Sequence, residues 1–209
     1  MFYKVDLSPQ SLIRAYSQGI FPMADETGRV RWYEANPRGI LPFEKFHIPH
    51  DLKRILKQNK FKVTLDKAFG EVIRGCSRRS ETTWISEEII KAYIRFHELG
   101  YAHSVEAWLD GELAGGLYGV ALGGAFFGES MFYRKRDASK VALCHLVKWL
   151  MASRFVLLDI QMLTDLLRRF GGILISKDEY LQRLQHAMSL ERKLNSYEIN
   201  WRKELSSQE

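Results

Sequence analysis

Cysteine is almost missing from this chain. Its two cysteines, Cys76 and Cys144, lie in no CxxC pair and have no His or Cys at a spacing that suits a shared metal or a disulfide, which argues against a disulfide framework and against a zinc site. The first ten residues, MFYKVDLSPQ, lack the basic start and apolar stretch of a secretory signal, so none is expected. No window approaches the roughly 18 unbroken apolar residues that a membrane-crossing helix needs. There is no internal repeat and no low-complexity segment. These absences together lead us to expect a cytosolic protein with no membrane partner and no metal or organic cofactor. Charge of neither sign dominates: 31 Lys and Arg against 25 Asp and Glu leave +6, compatible with a polyanionic partner without requiring one.

What the chain does have is material for a core. Of its 209 residues, 46% are hydrophobic and 12% aromatic, enough for one ordinary domain, alone or with a small N-terminal companion. Helix signals are clear. Ser8 with Pro9 opens a first helix with Leu12, Ile13 and Tyr16 on its buried stripe, and Gly19 ends it. Asp66 is expected to cap a second, bearing Ala68, Phe69, Val72 and Ile73 and stopping at Gly75. Ser86, followed by Glu87 and Glu88, starts a third through Ile90, Tyr93 and Ile94 to Gly100, its acids suited to the helix dipole. Asp137 or Ser139 opens a fourth with Leu143, Leu146, Val147 and Leu150 on one face, and Ser176 with Glu179 forms a capping box for the last.

Strand-like runs lie between these helices. HSVEAW (103–108) precedes LAGGLYGVALGGAFFGESMFY, which divides into two strands meeting at Gly123–Gly124. FVLLDIQML supplies a later buried strand. Strand, hairpin, helix, strand, helix implies an α/β or α+β layered fold.

Eight short strings occur in one order: GIFPMADE (19–26), PRGILP (37–42), TWI (83–85), AHSVEAW (102–108), GGLYGV (115–120), GESMF (128–132), ASKVAL (138–143) and LLDIQ (157–161). Together they resemble the leucyl/phenylalanyl-tRNA–protein transferases, over residues 7–184. The resemblance implies an α+β protein with a small N-terminal domain (1–62) and a GNAT-like acyltransferase domain (63–190). That domain has a central, largely antiparallel sheet flanked by helices, and a charged tail (191–209) that is expected to fray follows it. It also implies transfer of Leu, Phe or Met from aminoacyl-tRNA to proteins beginning with Arg or Lys, which marks them for degradation. A monomer is expected.

The chemistry would be aminolysis of an activated ester, where positioning supplies much of the acceleration. An α-amino group with a pKa near 7.7–8.0 is only partly neutral at pH 7, so an acceptor that orients it and drains its proton would help. Asp159 and Gln161 lie two apart on a strand and so share a face; the resemblance places the family's catalytic pair on them. The competing reading is a strand-end Asp and Gln satisfying nearby backbone. Glu129 is a carboxylate in an apolar strand, where burial requires a partner: the substrate, as in the family, or an ion pair with Lys140. The resemblance places Leu117, Phe126, Met131, Leu146 and Leu158 around the aminoacyl side chain, although singly each suits an ordinary core. Trp84 and Tyr93 are candidates to stack on the terminal adenosine. Lys53, Arg54, Lys57 and Lys60 match a basic cluster for the acceptor stem, against the commoner reading of a solvated helix face.

The chain departs from the family pattern at several positions. Met23 stands where some members carry an aromatic, Tyr133 where Ser is frequent, and Leu166 where a His often follows the DxQ motif. The segment before Leu7 is shorter than in some relatives. Two alternatives stay open at this point. One is a GNAT enzyme using acyl-coenzyme A, although YRKRDASK (133–140) has no glycine for a pyrophosphate loop. The other is a tRNA-binding relative that has lost turnover.

Overall fold

The computed structural model describes residues 5–78 and 83–206. The first four residues of the expected N-terminal domain and the last three of the expected tail lie outside the described residues. Helix α1 (Pro9–Ser17) begins as its sequence dictates, with the Ser8 side chain accepting from the Ser11 amide and Pro9 at the first helical position. Gly19 ends it with a left-handed φ of 74°. A hairpin of β1 (Phe21–Ala24) and β2 (Val30–Tyr33) follows. Then come β3 (Arg38–Ile40), α2 (His50–Lys57), β4 (Lys62–Leu65), α3 (Phe69–Ser77) and α4 (Glu87–Glu98). Strands β5 (Ala102–Leu109), β6 (Glu112–Leu122) and β7 (Ala125–Tyr133) run consecutively into α5 (Ala138–Ala152). The chain continues through β8 (Leu157–Gln161), α6 (Asp165–Arg168), β9 (Ile173–Ile175), α7 (Lys177–Met188) and α8 (Trp201–Ser206).

Seven strands form one sheet in the order β4-β5-β6-β7-β8-β3-β9. Every pairing is antiparallel except β7 with β8, which are joined through α5 and run parallel. The expected α+β class with a largely antiparallel sheet is therefore present. Helices α1, α3, α4 and α7 cover one face around Tyr16, Tyr93, Phe127 and Tyr180. Helices α2, α5 and α8 cover the other around Leu52, Leu146, Trp149 and Trp201. No helix among the described residues is long and apolar enough to cross a membrane.

Several local expectations give way to tertiary contacts. The boundary at residue 62 is no break in the fold, because β3 lies inside the main sheet between β8 and β9. Asp66 does not cap α3. It sits at φ 59° and accepts from the Ser104 amide at 2.9 Å, while Glu106 accepts from the amides of Lys67 and Ala68 that precede the helix. Gly75 does not stop α3 but lies within it, where a Cβ would fall 2.5 Å from the Phe132 ring. Asp137 is at the start of α5 in a left-handed conformation and makes no side-chain cap.

The tail departs furthest from expectation. Residues 191–206 pack back over α5 and α2 with Leu194, Ile199, Trp201 and Leu205 buried. Trp201 Nε1 donates to His145 Nε2 at 3.0 Å, and His145 Nδ1 in turn donates to the Val141 carbonyl at 2.9 Å. That arrangement requires a neutral imidazole, and burial lowers the His145 pKa to about 4. Trp201→Ala should destabilise the protein by about 3–5 kcal/mol in urea unfolding. A loss below about 0.5 kcal/mol would return the tail to the status of a surface appendage.

Candidate functional site

The site begins with a missing rung. Strands β7 and β8 pair at Ala125–Leu157, Phe126–Leu158 and Phe127–Asp159, and there the ladder stops. Beyond it the strands bound a cavity of about 380 Å³, lined by Glu129 and Met131 from β7 and by Leu158 and Gln161 from β8. A bulge shapes the β7 side. Gly119 opposes Gly128 and Tyr118 opposes Ser130, so Glu129 is the extra residue. The insertion reverses the alternation along β7: Phe127 and Phe132 both enter one core although five positions separate them, while Phe126 and Met131 pack with the other. Gly119 permits the close approach, since a Cβ there would stand 2.3 Å from the Phe127 carbonyl.

Behind the cavity runs a buried polar network. Arg38 meets Asp159 in a two-point ion pair, Nε to Oδ1 at 2.9 Å and Nη2 to Oδ2 at 2.6 Å. Its Nη1 donates to the Gly19 carbonyl at 2.8 Å. Burial opposes charge on Arg38, but the hydrogen bonds and charge of Asp159 outweigh it and hold the guanidinium above its ordinary pKa. Tyr180 also donates to Asp159 at 2.7 Å, and its phenol is pushed far up by burial and then by that carboxylate. The Gln161 amide donates to Asp159 Oδ1 at 2.8 Å and stands at φ 53°, an uncommon angle for a residue with a side chain. Beside this lies a second chain of contacts. Gln161 Nε2 donates to Glu129 Oε1 at 2.9 Å, Tyr16 donates to the same oxygen at 2.7 Å, and Tyr93 closes on the Tyr16 hydroxyl. Burial raises Glu129 to about 7; the hydrogen bonds from Tyr16 and Gln161 act against the rise and the charge of Asp159 adds to it.

The residues singled out in the sequence fall into three groups. Trp84, Leu117, Glu129, Met131, Leu146, Leu158 and Gln161 line the cavity together, joined by Phe21, Met23 and Leu166. Asp159, Tyr93 and Phe126 are fully buried and outside its lining. Tyr93 therefore cannot stack on a base: α4 turns it inward beneath Tyr16. Phe126 is core, on the β7 face that packs against α5. Lys53, Arg54, Lys57 and Lys60 lie on or just past α2, away from the lining, with Leu52 and Leu56 turned to the core. Glu129 does not pair with Lys140, whose Nζ is held by Asp137 at 2.6 Å. Sequence reasoning missed Arg38 and Tyr180 as members of the site and saw Tyr16 only as core. The available signal was an arginine between Pro37 and Gly39 in an otherwise apolar string.

The family model described as leucyl/phenylalanyl-tRNA protein transferase matches residues 40–185, and that of its N-terminal domain matches residues 5–36. The chain belongs to the leucyl/phenylalanyl-tRNA–protein transferase family. The member from Salinibacter ruber is 54% identical over 186 residues, 88% of this chain and 82% of that protein. The member from Gloeobacter violaceus is 52% identical, covering 89% of this chain and 96% of its own length. Among solved structures, a GCN5-related N-acetyltransferase from Kribbella flavida overlaps 80% of this chain and 60% of that one, at a TM-score of 0.44 and 9% identity. As a member of that family this transferase is an aminoacyltransferase; its cavity is apolar on most sides and is lined by one carboxyl, Glu129, and one carboxamide, Gln161.

A carboxyl raised in the folded state keeps its proton after the unfolded chain has lost it. The stability that Glu129 contributes is therefore complete below its ordinary value of 4.5 and is lost as pH rises through about 7. Glu129→Gln cannot ionise. Denaturant unfolding should show the wild type losing stability relative to this variant across that interval, then running parallel above it. Curves that stay parallel throughout would show that the raised pKa does not exist.

Proposed function

We propose that this transferase moves Leu, Phe or Met from aminoacyl-tRNA onto the α-amino group of proteins beginning with Arg or Lys, marking them for degradation. It acts as a cytosolic monomer without a cofactor. The observation that carries the reading is Gln161, which lines the cavity with its Nε2 held by Glu129; the carboxamide oxygen is then the acceptor left for a substrate. The aminoacyl side chain fills the apolar part of the cavity between Leu117, Met131, Leu146 and Leu158. Such a lining discriminates by shape and adapts through its methionines. Leu166 extends this apolar wall where many relatives have His, which suits side-chain binding more than proton transfer.

The neutral amine of the acceptor donates to Gln161 Oε1 and attacks the ester carbonyl. A carbon–nitrogen bond forms, the bond to the ribose oxygen breaks, and the nitrogen's proton ends on that oxygen. Glu129 borders the cavity with a pKa of about 7, matched to receiving the proton on the way. Asp159 does not touch the cavity. Bound by Arg38, Tyr180 and the Gln161 amide, it is a positioning residue that sets the direction of the Gln161 side chain. Trp84, on the lining, is the platform for the terminal adenosine, and the α2 cations meet the acceptor stem.

Purified protein incubated with radiolabelled Leu-tRNA or Phe-tRNA should transfer label to peptides beginning with Arg or Lys and not to those beginning with Ala. Gln161→Ala should lower kcat by about 10²–10⁴-fold while tRNA binding persists. Binding without any turnover by the wild type would instead identify a tRNA-binding relative, and a Gln161→Ala enzyme of ordinary kcat would remove Gln161 from the chemistry.

A further inference from the structure

The family match ends at residue 185, yet the chain continues as an ordered strap. Tyr197 accepts from Trp149 Nε1 at 2.8 Å, Trp201 is seated on His145, and Glu204 pairs with Lys148, all three being α5 residues. At its end the strap reaches α2: Arg202 Nε donates to the Lys57 carbonyl at 3.2 Å. That bond places the Arg202 guanidinium at the C-terminal end of α2, the end that carries Lys57 and leads to Lys60.

We propose that α8 and α2 form one cationic surface for the phosphate backbone of the tRNA acceptor arm, with Arg202 and Lys203 adding to Lys53, Arg54, Lys57 and Lys60. This rests on the reading of α2 as a tRNA contact and extends it to a segment outside the family match. Arg202 and Lys203 are both exposed. Two nearby carboxylates pair with cations, Asp51 with Arg169 at 3.3 Å and Glu204 with Lys148. Glu191 and Glu198 remain as solvent-facing acids of the strap. The strap also ties the surface to the pocket, since α5, which it grips, supplies Leu143 and Leu146 to the cavity wall. A duplex end lying on α2 and α8 is thereby held at a set distance from the site of transfer. Contacts of this kind neutralise phosphates and read no bases, so their signature is salt dependence.

The test is tRNA binding by the full chain over a salt series. It compares the wild type, Arg202→Gln with Lys203→Gln, Lys53→Gln with Lys57→Gln, and Arg202→Lys. The strap pair should weaken binding several-fold and reduce the slope of log affinity against log salt by about two, close to one per cation. Arg202→Lys preserves the charge while losing the Lys57 bond, and should retain the slope. A strap pair that leaves affinity and slope as in the wild type, while the α2 pair lowers both, overturns the inference and leaves α2 alone at the stem. A lowered melting temperature with an unaltered slope would also overturn it, by making the strap purely structural. If neither pair alters the slope, the tRNA reading of α2 itself fails, and this extension with it.

Discussion

The buried pair of Arg38 and Asp159 is the contact through which the separate parts of this transferase meet. Arg38 comes from β3 and Asp159 from β8; the guanidinium also holds the Gly19 carbonyl that ends α1, and the carboxylate holds Tyr180 of α7. The guanidinium lies 5.0 Å from the Phe21 ring and 4.4 Å from the Tyr180 ring, so aromatic faces replace the water it loses. A buried charge without its partner costs about 3–5 kcal/mol, which makes the pair a requirement of the fold more than a gain over an apolar alternative. Its value is in placement: one ion pair sets β3 against β8 and brings the N-terminal hairpin beside the cavity.

That commitment also shapes the electrostatics of the site. With both oxygens occupied, Asp159 holds the Gln161 backbone amide in a turn that costs about 1–3 kcal/mol for a residue with a side chain. Among the described residues, Glu129 has no such cation in direct contact. It receives the Tyr16 phenol and the Gln161 carboxamide, and burial outweighs them to raise its pKa toward neutrality. Two carboxyl groups on neighbouring strands thus differ in their hold on a proton because one is paired with a guanidinium and the other is hydrogen-bonded to neutral groups.

Local signals carried much of the secondary structure. Ser8, Ser86 and Ser176 each accept from a backbone amide three residues on, as their spacing requires, and the β6–β7 hairpin turns at Gly123 and Gly124. Where a signal depended on distant chain it misled. Asp66 looked like a cap yet was claimed by the Ser104 amide across a strand, and Gly75 looked like a stop yet made room for Phe132. The charged composition of the tail hid Leu194, Ile199, Trp201 and Leu205, spaced too irregularly for a periodic stripe but each with a waiting slot. In the site, the apolar lining was legible apart from Phe126, which the strand pleat turns to the core, and Tyr93, which α4 turns away from the cavity.

By itself the sequence determined where α1, α4 and α7 begin, where the hairpin turns, which runs are apolar, and membership of the family through strings kept in one order. These depend on contacts within a few residues, or on residue identity alone. Only the tertiary structure decided that Arg38 meets Asp159, that Glu129 is the extra residue of a bulge, and that the tail grips α2 and α5. Each of these joins segments far apart in the chain: 121 positions separate Arg38 from Asp159 and 145 separate Lys57 from Arg202. The partner of a buried charge and the register of a strand are chosen by what remains unsatisfied once the layers close, and no local pattern records that choice.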